Sequence, residues 1–248
     1  MGKGKNNKNS KKKVAQKREQ ERSRRIRDLT LITVIVLALG AGILSLVLSS
    51  SSSSDADTNR VAASAFRYDK QPVEGNPKAK VKIAELGDYK CPVCKRFKQE
   101  IYPQLKKDFL DTDKASLYFI NNQFIGEDSV TAGIAGEAVY AQDKDKFWKF
   151  YNAIYDNQGD ESQTWATPEY MVEMTKENVP GLDYKRLAKD IKERKYEDEV
   201  QADKEIADKA KVTGAPALFI NGKPVDIKVI FDYPKLKKMI EKEGKRVQ

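Results

Sequence analysis

Two cysteines separated by two residues are the only thiols in the 248-residue chain, which has no histidine. Cys91-Pro92-Val93-Cys94 can staple the chain, hold a metal or pass electrons. Stapling is poorly served, because closing so short a loop gains about 2 kcal/mol, against about 4.7 kcal/mol for a loop of about a hundred residues. A metal is poorly served too: two thiolates without imidazole leave half of a tetrahedral zinc shell empty. The same inventory excludes four-cysteine zinc sites, histidine-rich metal centres and histidine-based triads. Thiol–disulfide exchange is the chemistry left to the pair.

Such a pair needs a strand to deliver it and a helix to activate it. Residues 81–86 supply the strand. Val81, Ile83 and Glu85 share one face by the period of two, and Ala84 and Leu86 share the other. The helix begins at Pro92, where a proline suits the first helical position, so Cys91 falls on the N-cap. The Cys91 sulfur then lies over the unpaired amides of Val93 and Cys94, at the positive end of the helix dipole, which favours a thiolate. Cys94 is one turn further along the same face and less accessible. Cys91 is therefore read as the nucleophile and Cys94 as the resolving thiol. Val93, Phe97, Ile101 and Leu105 recur every four residues as the expected inner stripe of this helix.

Elsewhere the patterning predicts short strands at 66–68, 115–124, 217–220 and 225–227, with Asn221-Gly222 as a hairpin turn. Helices are expected at 130–141, 146–155, from Pro168 behind a Thr167 cap, at 182–191, 196–210 and 233–243. Strands, a block of helices, strands and a final helix make an α/β domain with a helical insertion at about 126–205.

The run Glu85-Leu86-Gly87-Asp88-Tyr89-Lys90-Cys91-Pro92-Val93-Cys94, the Phe147-Trp148 pair and Gly214-Ala215-Pro216 resemble the DsbA family of thiol-disulfide oxidoreductases, nearest its membrane-anchored Gram-positive members. The resemblance covers residues 62–248 and implies a thioredoxin-like fold with an all-helical insertion. It implies that Pro216 is cis and packs against the cysteine pair, and that the backbone around Ala215 and Pro216 takes up the substrate strand. Many members carry Thr or Val where this chain has Ala215. Glu85 matches the family's buried acid beneath the cysteines; a solvated strand-end glutamate is the alternative. Pro92 belongs to the active-site motif. The strongest oxidants of the family place a histidine where this chain has Val93. No bound cofactor is implied, and the implied electron acceptor is a quinone-reducing membrane protein.

The net charge of +9 resides in one tail: residues 1–28 hold 12 Lys/Arg against 3 Asp/Glu, and the other 220 residues are balanced. A globally basic nucleic-acid surface is thereby excluded. Residues 29–48 carry no charge over 20 positions, enough for a helix of about 30 Å to cross a bilayer. The reading is a transmembrane helix acting as an uncleaved anchor, with a cleaved signal peptide as its rival. The positive-inside rule puts the tail in the cytoplasm and the rest outside. Residues 49–61, opening on six serines, read as a flexible linker that holds the domain about 20 Å from the membrane. The expectation is an anchored, extracytoplasmic enzyme that introduces disulfides into thiol-containing exported proteins. A reductase or isomerase on the same fold, and a non-enzymatic binding module with an idle CxxC, remain as alternatives.

Overall fold

A computed structural model describes residues 60–246 of the chain. The basic tail, the apolar span 29–48 and the linker up to residue 59 lie outside the described residues. Among the described residues no helix is long and apolar enough to cross a membrane.

Strand formation follows the alternation of side chains. Strands β1 (Val73–Gly75), β2 (Val81–Gly87), β3 (Ala115–Asn121), β4 (Ala217–Ile220) and β5 (Lys223–Val225) form one mixed sheet in the order β1-β3-β2-β4-β5. β2 and β3 are parallel, with Glu85 opposite Phe119, so a crossover must join them; β4 runs antiparallel on the other side of β2, with Leu218 opposite Glu85. The central strand is covered on both faces. Val81 and Ile83 enter the main core, whereas Ala84 and Leu86 join a smaller cluster with Phe66, Ile120, Ile206 and Phe219.

The crossover helix, α1, runs over residues 92–110 as α turns (Pro92–Arg96, Tyr102–Leu105) alternating with π turns (Phe97–Ile101, Lys106–Leu110). Pro103 has no N–H to give and its ring crowds the carbonyl four residues back, and the first π turn opens the helix there. Phe97, Ile101, Leu105 and Phe109 are buried at spacings of four, which the wider turns keep on one side. Val93 departs from the expected stripe: it is 38% exposed, and Cys94 takes the inward position.

Between β3 and β4 lie α2 (Glu127–Gln142), α3 (Phe147–Asp156), α4 (Pro168–Asn178), α5 (Tyr184–Lys192) and α6 (Glu197–Lys209). Thr167 caps α4 by accepting the Tyr170 N–H at 3.2 Å. The aromatic side of α3 packs on the sheet and on α1: the rings of Tyr151 and Phe119 are 5.4 Å apart, and those of Tyr151 and Tyr102 5.6 Å apart. A short α7 (Ile227–Ile230) and α8 (Tyr233–Arg246) follow β5.

Several short segments differ from the sequence reading: Val73–Gly75 adds the strand β1, which the patterning did not predict, and the strand expected over 115–124 stops at Asn121. Residues 66–68 make no strand; a 3-10 turn at Ala63–Phe66 precedes them, and Phe66 is held by ring packing on Phe219 at 5.1 Å. Strand pairing also stops at Val225, because Asp226 turns to cap α7 by accepting the Lys228 N–H at 2.8 Å. The β4–β5 turn has positive φ at both Asn221 (48°) and Gly222 (81°), the geometry that favours this dipeptide. A Cβ on Gly222 would lie 2.0 Å from the Val61 carbonyl oxygen. That close approach exists because Val61 N–H donates to Gly222 O at 2.9 Å. The Arg60 guanidinium reaches Asn221 O at 2.7 Å and both oxygens of Glu243 at 3.2 Å. Arg60 and Val61, read as linker, are thus attached to the domain.

Candidate active site

β2 ends at Gly87, and the loop to α1 is shaped by Asp88. Its buried carboxylate accepts the N–H groups of Lys90 (2.7 Å), Phe124 (2.8 Å) and Ile125 (2.9 Å) and the Ser129 hydroxyl (2.6 Å). The Asp88 carbonyl accepts the Cys91 N–H at 3.0 Å. Cys91 is left in an extended conformation (φ −73°, ψ 119°) at the N-cap of α1, with Pro92 at the first helical position. Its thiol faces the Ala215 carbonyl at 3.3 Å, and the Ala215–Pro216 peptide bond is cis. The structure thus brings Pro92, Cys91, Ala215 and Pro216 to one place. Ala215 and Pro216 also line an open cavity of about 620 Å³ with Val225, Ile227 and Ile230.

Both cysteines are free thiols, and their environments push them apart. A hydrogen bond from the Cys94 thiol, helped by the Cys94 and Val93 amides, lowers the Cys91 thiol to about 7 against opposition from burial and from Asp88. Burial, then the hydrogen bond shared with Cys91, holds the Cys94 thiol well above its ordinary value. Cys91 keeps 6% of its surface and Cys94 none, which decides which sulfur an incoming thiolate can reach.

Glu85 lies on the face of β2 that carries Val81 and Ile83 and is fully buried. Burial pushes its carboxyl up to about 8, although the Tyr151 hydroxyl, donating at 2.9 and 3.1 Å to its two oxygens, pulls it back. When ionised, it adds to the burial that holds Cys94 protonated. The solvated alternative for Glu85 does not hold.

Sequence reasoning treated Tyr151 as core and passed over Asp88, Lys90 and Gln158. Tyr151 carried a signal, since a buried tyrosine hydroxyl needs a partner. The buried Lys90 ammonium meets Asp128 at 2.7 Å and the Gln163 carbonyl at 2.9 Å, partners that no local spacing discloses. Gln158 Nε2 donates to the carbonyls of Tyr89 (2.8 Å) and Cys91 (3.0 Å).

A cysteine pair opening a helix after a central strand, beside a cis-proline on a sheet with a helical insertion, defines a thiol-disulfide oxidoreductase of the thioredoxin fold. A family model described as thioredoxin matches residues 68–242. The probable disulfide bond formation protein D of Bacillus cereus is 40% identical over 181 residues, 73% of this chain and 82% of the relative. Disulfide bond formation protein D of Bacillus subtilis is 34% identical over 175 residues, 71% of this chain and 78% of the relative. The crystal structure of oxidised BdbD from Bacillus subtilis superposes with a TM-score of 0.67 at 33% identity, covering 71% of this chain and 94% of that one. Chlamydia trachomatis DsbA, at 20% identity and a TM-score of 0.63 over 76% of this chain and 95% of that one, shares the fold. The chain belongs to the DsbA-like thiol-disulfide oxidoreductases, in the company of the disulfide bond formation D proteins.

Proposed function

We propose that the chain is a membrane-anchored, extracytoplasmic thiol oxidase that introduces disulfides into exported proteins through Cys91 and Cys94. One observation carries the reading: a single helix start gives one cysteine an acidic, reachable thiol and its neighbour a sealed, protonated one. A substrate thiolate attacks Sγ of Cys91 in the disulfide form. The Cys91–Cys94 bond breaks, and its electron pair leaves on Cys94, which takes up a proton. A second substrate thiolate then attacks the substrate sulfur of the mixed disulfide, and Cys91 departs as a stable thiolate. The substrate gains a disulfide and its two electrons stay in the dithiol.

Regeneration removes those electrons. Cys94 must lose its proton to close the ring again, and Glu85 is the acceptor positioned for it. Burial makes it a weaker acid, so the carboxyl can take up and release a proton near neutral pH. The electrons pass to a quinone-reducing membrane protein, the acceptor that the family resemblance implies. The backbone around Ala215 and cis-Pro216 would seat the substrate strand beside Cys91. Support for the location comes from 12 Lys/Arg ahead of the uncharged span 29–48, after which Arg60 is the next basic residue. Support for protein thiols as substrates comes from the relatives named for disulfide bond formation.

Equilibration with glutathione tests the direction of electron flow. Thioredoxin lies at about −270 mV and DsbA at about −120 mV; the expected potential falls between them, nearer DsbA. A value at or below that of thioredoxin overturns the oxidase reading in favour of a reductase.

A further inference from the structure

The helical insertion does more than cover the sheet, for its α3 end holds the loop that carries Cys91. Tyr155, in the last turn of α3, donates its hydroxyl to the Asp88 carbonyl at 3.3 Å. Three residues on, just past the helix, Gln158 offers two N–H groups from one amide nitrogen. It places them on Tyr89 O at 2.8 Å and Cys91 O at 3.0 Å. The Cys91 carbonyl also accepts the first helical bond of α1, from Lys95 N–H at 3.1 Å. Gln158 therefore grips the peptide plane at the junction between loop and helix, the plane whose tilt decides whether the Cys91 sulfur points at the Val93 and Cys94 amides. Its own position is set behind it: a Cβ on Gly159 would come within 2.7 Å of the Trp165 ring, so the turn after α3 sits hard against that indole.

We propose that Gln158 is a positioning residue that holds Cys91 in its N-cap geometry, so that the helical insertion sets the reactivity of the cysteine pair. The proposal rests on the reading of Cys91 as the attacking thiol. Gln158 donates to the Tyr89 and Cys91 carbonyls rather than to either sulfur, and so acts through the backbone. Without it the Cys91 carbonyl keeps its helical bond but loses the second one, and the Tyr89 carbonyl is freed. The sulfur then swings off the amides that stabilise its thiolate.

The experiment is the pH profile of alkylation of the reduced full-length protein with iodoacetamide, with the modified residue identified by peptide mapping. Gln158→Leu keeps the size and removes both donors; Gln158→Glu keeps the shape and presents acceptors to two carbonyls; Gln158→Lys restores donors on a chain of similar reach. In the Leu and Glu variants the half-point for Cys91 is expected to move up by about one pH unit, leaving about a fifth of the thiolate at pH 7. The plateau rate at high pH should rise slightly, because a more basic thiolate is the better nucleophile. The Lys variant is expected to stay at or below the wild-type half-point. A merely structural role would lower the melting temperature of all three variants and leave the half-points together. Half-points for Leu and Glu within about 0.2 pH unit of the wild type overturn the proposal. Alkylation that begins at Cys94 in the wild type overturns the reading on which it rests, and the proposal with it.

Discussion

The acidity of Cys91 should be visible as a difference in stability between the reduced and oxidised proteins. Its thiol is lowered to about 7 in the fold, against about 8.5 for a free cysteine. A depressed folded value means that the thiolate stabilises the reduced form fully above the unfolded value, and that this is lost as pH falls through about 7. The full effect is about 2 kcal/mol. Solvent at the sulfur, which sits at the rim of the site, screens it to about 1–2 kcal/mol. At pH 7 only about 0.4 kcal/mol of the unscreened figure is present, so the comparison must extend to pH 9.

Glu85 complicates a single curve but not a difference. Its folded value is raised to about 8, so the stability it lends is complete below its unfolded value of about 4.3 and is lost as pH rises through about 8. Both redox forms carry that slope. The short disulfide loop constrains the unfolded oxidised chain by about 2 kcal/mol at every pH, which offsets the two curves without tilting them. Cys94 is a thiol only in the reduced form and its folded value is held up, so it withdraws about 0.8 kcal/mol of the gain by pH 9 as its unfolded counterpart ionises. Calorimetric melting of both forms from pH 5.5 to 9 is therefore expected to show the reduced protein gaining about 1–4 °C on the oxidised one, mostly between pH 6.5 and 8. A difference that stays flat refutes the depressed Cys91.

Trapping separates the thiols: Cys94→Ala is expected to accumulate mixed disulfides with thiol-containing proteins and Cys91→Ala to accumulate none, and equal trapping by both would undo the assignment of roles. Glu85→Gln should slow re-formation of the Cys91–Cys94 bond by about 10²-fold while raising stability at pH 8, where the wild type buries a charge; stopped-flow oxidation across pH 5–8 that matches the wild type removes Glu85 from the mechanism. Gly222→Ala places a side chain at φ 81° and 2.0 Å from the Val61 oxygen, so urea unfolding should show a loss of about 2 kcal/mol or more, with thiol–disulfide exchange activity per folded molecule unchanged.

Residues that act through local geometry could be read from the chain. Pro92 has no N–H and a fixed φ, which makes it a helix opener and the cysteine before it a cap. Alternation over 81–86 displayed the two faces of β2, and with them the inward side of Glu85. What stayed hidden depends on segments that meet only in three dimensions. Tyr151 finds Glu85 across 66 positions of sequence, and Gln158 finds Cys91 across 67. The cis bond at Pro216 was accessible only by resemblance, since an X–Pro bond is cis in about 5–6% of cases. Val93 was misplaced because a stripe with a period of four extends to the first turn on paper, whereas the capped end of α1 turns Cys94 inward instead. The end of the linker was missed because Arg60 and Val61 are held by Asn221, Gly222 and Glu243, about 160 residues or more away.

The position of Val93 bears on how strong an oxidant this site can be. At 38% exposure the valine sits outside the core, so the fold does not require an apolar residue between the cysteines. It supplies no charge or hydrogen-bonding side chain to Cys91. What lowers that thiol is the Cys94 hydrogen bond and two backbone amides, whereas the formal charge acting on it, that of Asp88, works the other way. Asp88 cannot be dispensed with, because its four hydrogen bonds shape the loop that places Cys91 at the cap. The loop that positions the nucleophile thus also limits its acidity. A thiolate stabilised by dipoles against an opposing carboxylate is stabilised less than one that also has an imidazolium beside it. A disulfide oxidises in proportion to the stability of its reduced form. The intermediate potential expected above therefore follows from the amides that Pro92 exposes, the carboxylate that Asp88 keeps in place, and the absence of a histidine from position 93.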